Sequence, residues 1–152
     1  MGIHTKDDNL FLHQDVIAIG WKDMGGLSLI QSDRDAFKEK YTEVYPNAKK
    51  GSIANGVGML YQFAYEVEIG DYVVFPSKID RQINIGVIEG GYEYHPEAAE
   101  YVLQQHKVKW LKHLPRTSFS QGALYEVGSA IRCFFEKFLG IGLLVWIFVI
   151  PK

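Results

Sequence analysis

The stretch GDYVVFPSKIDRQINIGVIEG, residues 70–90, decides the fold. Two runs of β-branched and aromatic residues, Tyr72 to Phe75 and Ile83 to Ile88, are bounded by Gly70, Pro76 and Gly90. Such residues fit the pleated, half-buried surface of a sheet, and Gly and Pro punctuate it, so the stretch predicts a hairpin. Its connection places Lys78 and Arg81 just after Pro76 and Ser77. A loop pinned from both sides by strands is where binding chemistry is usually displayed, and two cations there ask for an anionic partner.

Outward from the hairpin, helices and strands alternate irregularly. SDRDAFKEKYTEVYP, residues 32–46, opens on a capping Ser or Asp, sets Phe37, Tyr41, Val44 and Tyr45 on one helical face and stops at Pro46. KKGSIANGVGMLYQFAYEVEIGD, residues 49–71, predicts a second helix with Ser52 as cap and Gly70 as stop, weakened by Gly56 and Gly58. DVIAIGW, residues 15–21, and residues 1–5 predict strands. GGYEYHPEAA, residues 90–99, predicts a turn with exposed aromatics. HKVKWLKHL, residues 106–114, predicts a strand in which Val108 and Trp110 alternate with Lys107 and Lys109. TSFSQGALYEVGSAIRCFFEKF, residues 117–138, predicts a last helix. With no βαβ rhythm, the class expected is α+β, built on a mixed, curled sheet.

FLGIGLLVWIFVI, residues 138–150, is continuously apolar but shorter than the roughly 18 residues of a membrane span. It predicts a buried final helix or strand; a membrane-contacting tail and a non-native reading-frame scar are the alternatives. The expected division is therefore a domain over residues 1–137 and a tail over 138–152.

The chain of 152 residues, 47% hydrophobic, suits one core, and its net charge of -2 is not that of a non-specific nucleic-acid binder. Any such role rests on local patches. HKVKWLKHLPR, residues 106–116, is one, with Lys107, Lys109, Lys112 and Arg116 and no acid. The lone Cys133 excludes an intrachain disulfide and a multi-cysteine zinc site, which fits a reducing, cytoplasmic setting.

Phosphate loops, nucleophile elbows and helical His pairs are missing from the sequence, so neither catalysis nor a cofactor or metal is expected. Binding features are better represented. Trp21 ends an apolar strand and is followed by Lys22 and Asp23, which puts a ring at the sheet rim. There it serves as a stacking platform, worth about 1–3 kcal/mol per base, or seals the barrel end. Ser52 and Asn55 are read into the first turn of the second helix, where free amides favour an anion. Lys78, Arg81 and Arg116 suit backbone phosphates. Tyr92 and Tyr94, two apart in an extended segment, share a face and form either a second aromatic wall or, the favoured reading, core or turn packing.

The order of GIH, VIAIGW, a helix ending in YP, GSIANGVGMLYQFAYEVEIGD, VVFPSKIDRQINIGVIEGGYEYHP, HKVKWL and PRTSFSQGALYEVGSAI resembles the N-terminal module of predicted Mrr-type restriction proteins across residues 2–132. That module is similar to the EVE and YTH domains of the PUA-like superfamily. The resemblance implies a small mixed β-barrel of about five or six strands with two to four helices around it. It also implies an aromatic pocket that flips and reads a modified base, with a separate nuclease domain doing the cutting. Carried onto this sequence, the pocket is bordered by Ile3, His4, Trp21, Asn55, Pro76, Ser77 and Lys78. The chain departs at Met1, where the family has Trp, and after Ile131, where the apolar tail replaces a polar helix and nuclease domain, as in a truncated or frame-shifted copy.

The function expected is thus a non-catalytic, cytoplasmic DNA-recognition module of a defence system, with DNA carrying a modified base as partner and a nuclease subunit or domain beside it. A protein-interaction or membrane-tethered adaptor acting through the tail is the alternative. Removing residues 138–152 is expected to leave a reader's binding intact and raise its solubility.

Overall fold

The predicted hairpin forms the middle of a curled sheet. The computed structural model describes residues 11–77, 81–98, 103–115, 117, 132–137 and 144–151, with 132–137 and 144–146 described as backbone. The strands are β1 Val16–Ile19, β2 Tyr72–Pro76, β3 Gln82–Ile88, β4 Glu93–Tyr94, β5 Gln104–Pro115, β6 Arg132–Lys137 and β7 Leu144–Ile150. β2 and β3 pair from Tyr72↔Val87 to Pro76↔Ile83, and the Ser77 N–H closes the loop on Gln82 O at 2.9 Å. Across the sheet the order is β1-β5-β3-β2-β7-β6, with the short β4 on β5. All pairings among the described residues are antiparallel, where the sequence predicts a mixed sheet within the same α+β class. Curling brings β1 and β6, the two ends of that order, within 8 Å of each other between Cα atoms, which gives the sheet its barrel-like form.

Helix α1, Arg34–Val44, starts as predicted: the Asp33 carboxylate accepts from the Asp35 N–H at 3.1 Å. It buries Phe37 and Tyr41. Helix α2, Lys50–Tyr61, lies against α1 at a close approach, because a Cβ on Gly56 would stand 2.7 Å from the Tyr41 ring. The glycine that weakens the helical prediction is what permits the packing. Ser52 is not the cap: Lys49 precedes the helix without a side-chain cap bond, so Ser52 lies in the first turn and Asn55 in the second. The last turn widens into a π-helical segment, Gln62–Glu66, in which the Val67 N–H skips Phe63 and bonds Gln62 O at 3.0 Å. Between β1 and α1 run two 3₁₀ turns, Lys22–Met24 and Leu27–Leu29, with Met24 and Leu27 buried.

The C-terminal third differs most from expectation. Arg132–Lys137, read as helix, is strand β6, paired with β7 from Arg132↔Val149 to Lys137↔Leu144. Successive Cys133, Phe134 and Phe135 carry no period of their own, and cross-strand pairing decides between the two conformations. Residues 118–131 of the predicted helix and the predicted strand at 1–5 lie outside the described residues. The apolar tail supplies β7, which sits between β2 and β6 and sends Ile147 and Val149 into the core. No helix among the described residues is long and apolar enough to cross a membrane.

Candidate nucleic-acid interface

Trp21 leaves β1 in the left-handed region, φ 62° and ψ 58°, a conformation that costs a non-glycine residue about 1–2 kcal/mol. Such strain persists only where the surroundings fix it, and here they do. The Gln104 side-chain amide donates to Gly25 O at 2.8 Å, and the Leu27 N–H donates to the Tyr92 hydroxyl at 2.8 Å. The same Tyr92 hydroxyl donates to Gln104 Oε1, so one buried glutamine on β5 and one tyrosine beside β4 hold both 3₁₀ turns that follow Trp21. Tyr94 packs on the same loop, its ring 3.3 Å from where a Cβ on Gly26 would stand. Trp21 itself remains half-buried, packed on the core by part of its ring.

Burial of the Tyr92 hydroxyl outweighs the Leu27 bond and pushes its pKa up to about 12. The ring meets Phe63 edge-on at 6.5 Å and His106 at 6.3 Å. His106, fully buried, donates from Nε2 to Phe63 O at 2.6 Å, the carbonyl that the π turn releases, and its Nδ1 lies 3.0 Å from Gly90 O. Tyr92 and Tyr94 are therefore part-buried supports of the Trp21 loop, in line with the core or turn packing weighed from the sequence and unlike a turn of exposed aromatics.

The remaining candidates sit elsewhere. Ser52 and Asn55 are exposed on α2, which lies against α1; α1 in turn lies beside the Lys22–Met24 turn. Pro76, Ser77 and Arg81 mark the hairpin tip, with Ser77 buried and Arg81 exposed in a left-handed conformation, φ 55°. Lys78, Ile3, His4 and Arg116 lie outside the described residues. The register separates the two groups. Ile19, two residues before Trp21, pairs with Gln104 at the start of β5, whereas Pro76 pairs with Ile83 and Ile83 with Leu114 near its end. Those ten residues of β5 are roughly 33 Å of strand contour. The expected placing of Pro76, Ser77 and Arg81 beside Trp21 thus meets a sheet with Trp21 at one end and the hairpin tip at the other.

The hairpin end is closed by packing. Phe11 meets Phe75 edge-on at 5.2 Å, Phe75 lies 6.2 Å from Trp110, and the Trp110 indole N–H donates to Phe11 O at 3.0 Å. Asn84, fully buried, donates to Phe75 O at 3.2 Å and accepts from His113 Nδ1 across the strand. Gln104 and the Asn84–His113 pair escape sequence reading, because a lone polar residue in a strand signals nothing until its partners are known.

Fold and site together define an α+β protein whose curled antiparallel sheet carries a half-buried tryptophan in a left-handed turn at one end. Residues 4–127 match the family described as "Domain of unknown function (DUF8426)", and the chain belongs to that family. No curated protein and no solved structure matches the chain.

Proposed function

We propose that this chain is a nucleic-acid recognition module that holds a flipped, modified DNA base against Trp21 and leaves any cutting to a nuclease domain or subunit. The observation that carries the reading is the Trp21 loop: a strained aromatic residue, half open to solvent, whose following turns are held by Gln104 and Tyr92. A platform fixed in advance loses little entropy when a base stacks on it. Flipping costs a few kcal/mol, which stacking and phosphate contacts offset. One added methyl contributes only about 1–3 kcal/mol, so preference for a modified base is modest. Arg81, at the far end of the hairpin, contacts flanking duplex rather than the flipped nucleotide. The adaptor reading loses support, since Ile147 and Val149 of the tail are core residues rather than a free surface.

The test is fluorescence anisotropy of the whole chain with matched duplexes that are unmodified or carry N6-methyladenine or 5-methylcytosine. One modified duplex should bind tighter than its unmodified match, and Trp21→Ala should weaken it by roughly 5- to 150-fold while Trp21→Phe retains part of the affinity. Trp21→Ala binding every duplex as the wild type does would sink the proposal.

A further inference from the structure

The basic run of β5 is unused by the Trp21 site, and the fold gives it a definite arrangement. Alternation sends Val108 into the core and Lys107 and Lys109 outward. Strict period two would turn Lys112, three residues beyond Lys109, to the inner face. A register shift prevents this: Val87 of β3 pairs with Lys109, Gly86 with Trp110 and Ile85 with Lys112, leaving Leu111 as the extra residue. Val87 and Ile85 are two apart on an unbulged strand, and directly opposed residues share a face, so Lys109 and Lys112 emerge together on the outer surface. Re-aiming a side chain is what a β-bulge does.

The same face continues across the sheet. Tyr72 opposes Val87 and Val74 opposes Ile85. Tyr72 is 48% exposed and Leu111 50%, so lysines on β5, an aliphatic strip on β3 and an open tyrosine on β2 lie side by side. Glu89 adjoins Lys107, donating its N–H to Lys107 O at 2.8 Å, whereas Lys109 and Lys112 take part in no ion pair among the described residues.

We propose that this outer face of β2, β3 and β5 binds single-stranded nucleic acid, with phosphates on Lys109 and Lys112 and a base stacked on Tyr72. Two strand spacings, roughly 9–10 Å, separate the lysine row from the tyrosine, the reach of one nucleotide from phosphate to base. An exposed ring beside cations suits unpaired bases, whose faces are free, better than a duplex, whose faces are stacked. Anionic membranes are read by clusters of about four to eight Lys or Arg, more than this face carries. The site is separate from Trp21 and stands or falls without it.

The experiment is anisotropy of the whole chain with a labelled oligothymidylate of about 16 nucleotides over a salt series. Lys109→Ala with Lys112→Ala should lower the slope of log affinity against log salt by about 1.4, two phosphates at about 0.7 each. Tyr72→Ala should weaken binding roughly tenfold with the slope unchanged. All three side chains replaced are exposed, and an unchanged urea midpoint confirms that each variant folds. Wild-type affinity and slope in the double lysine variant would overturn the proposal, as would tighter binding to phosphatidylserine vesicles or polyglutamate than to the oligonucleotide.

Discussion

The Tyr92 hydroxyl accepts from the Leu27 N–H and donates to Gln104 Oε1, so a single oxygen joins the loop after Trp21 to the start of β5. Tyr92→Phe keeps the ring on Phe63 and His106 but leaves a backbone N–H and a buried glutamine oxygen without their partner. The expected cost is about 1–3 kcal/mol in urea unfolding, because the stranded groups lose their full desolvation compensation. A variant with wild-type stability would show that the hydroxyl is dispensable. The titration gives an independent readout. Burial raises the Tyr92 pKa from 10.0 to about 12, so the neutral phenol is favoured in the folded state. Its contribution is fully present below pH 10 and is lost as the pH rises from 10 towards 12, where the unfolded chain binds fewer protons than the folded one. Stability should therefore fall across that alkaline window, and the part of the fall due to this residue should vanish in Tyr92→Phe. Equal falls in both proteins would assign the alkaline loss to other groups.

At the scale of elements, two glycines with opposite expectations test how the sheet and helices are assembled. A Cβ on Gly86 would stand 2.6 Å from Val108 Cγ1, 2.9 Å from Lys109 O and 2.9 Å from Trp110 Cε3. The carbonyl belongs to the bulged backbone and cannot step aside, so Gly86→Ala should destabilise by about 1–3 kcal/mol. Gly51, in the first turn of α2, has nothing within 4 Å of a Cβ, and Gly51→Ala should stabilise by about 0.5–1 kcal/mol through reduced freedom of the unfolded chain. Urea midpoints moving in the same direction for both would contradict this picture. The contrast also shows what the sequence reveals. β1, α1, β2 and β3 are legible because each carries a strong local period or cap, and β5 because Val108 and Trp110 alternate with lysines. The bulge at Leu111 is not legible, since it depends on which β3 residue faces which β5 residue. β6 is misread as helix because a run of Cys and Phe suits either conformation until a partner strand is present. Trp21, read as the last residue of the strand, stands two residues beyond β1, and the Gln104 and Tyr92 side chains that hold the turns after it come from residues distant in sequence. That Arg81 and Trp21 lie at opposite ends of the sheet is hidden for the same reason: chain order says nothing about which end of a sheet a loop occupies.

For the whole molecule, the decisive question is what closes the sheet. β7 pairs with β2 on one side and β6 on the other, from Tyr72↔Ile150 to Val74↔Phe148 and from Arg132↔Val149 to Lys137↔Leu144. Deleting residues 138–152 would leave β2 with a bare edge, part β6 from its partner and strip Ile147 and Val149 from a core that includes Val73 and Phe75. An exposed apolar edge of this kind templates association. The apolar sequence suggests that trimming the tail should help solubility; the sheet order argues the reverse. The truncated chain should lose its near-ultraviolet circular dichroism, bind a hydrophobic dye and sediment as aggregate, signs of lost tertiary packing. Ile147→Ala in the full chain provides the graded version. Its side chain is 2% exposed, so the loss of transfer energy and the cavity left behind should together cost about 2–5 kcal/mol. A truncated chain that unfolds in urea with the full-length midpoint, or an Ile147→Ala variant within about 0.5 kcal/mol of the parent, would mean that β7 is an appendage and that the remaining strands close the sheet without it.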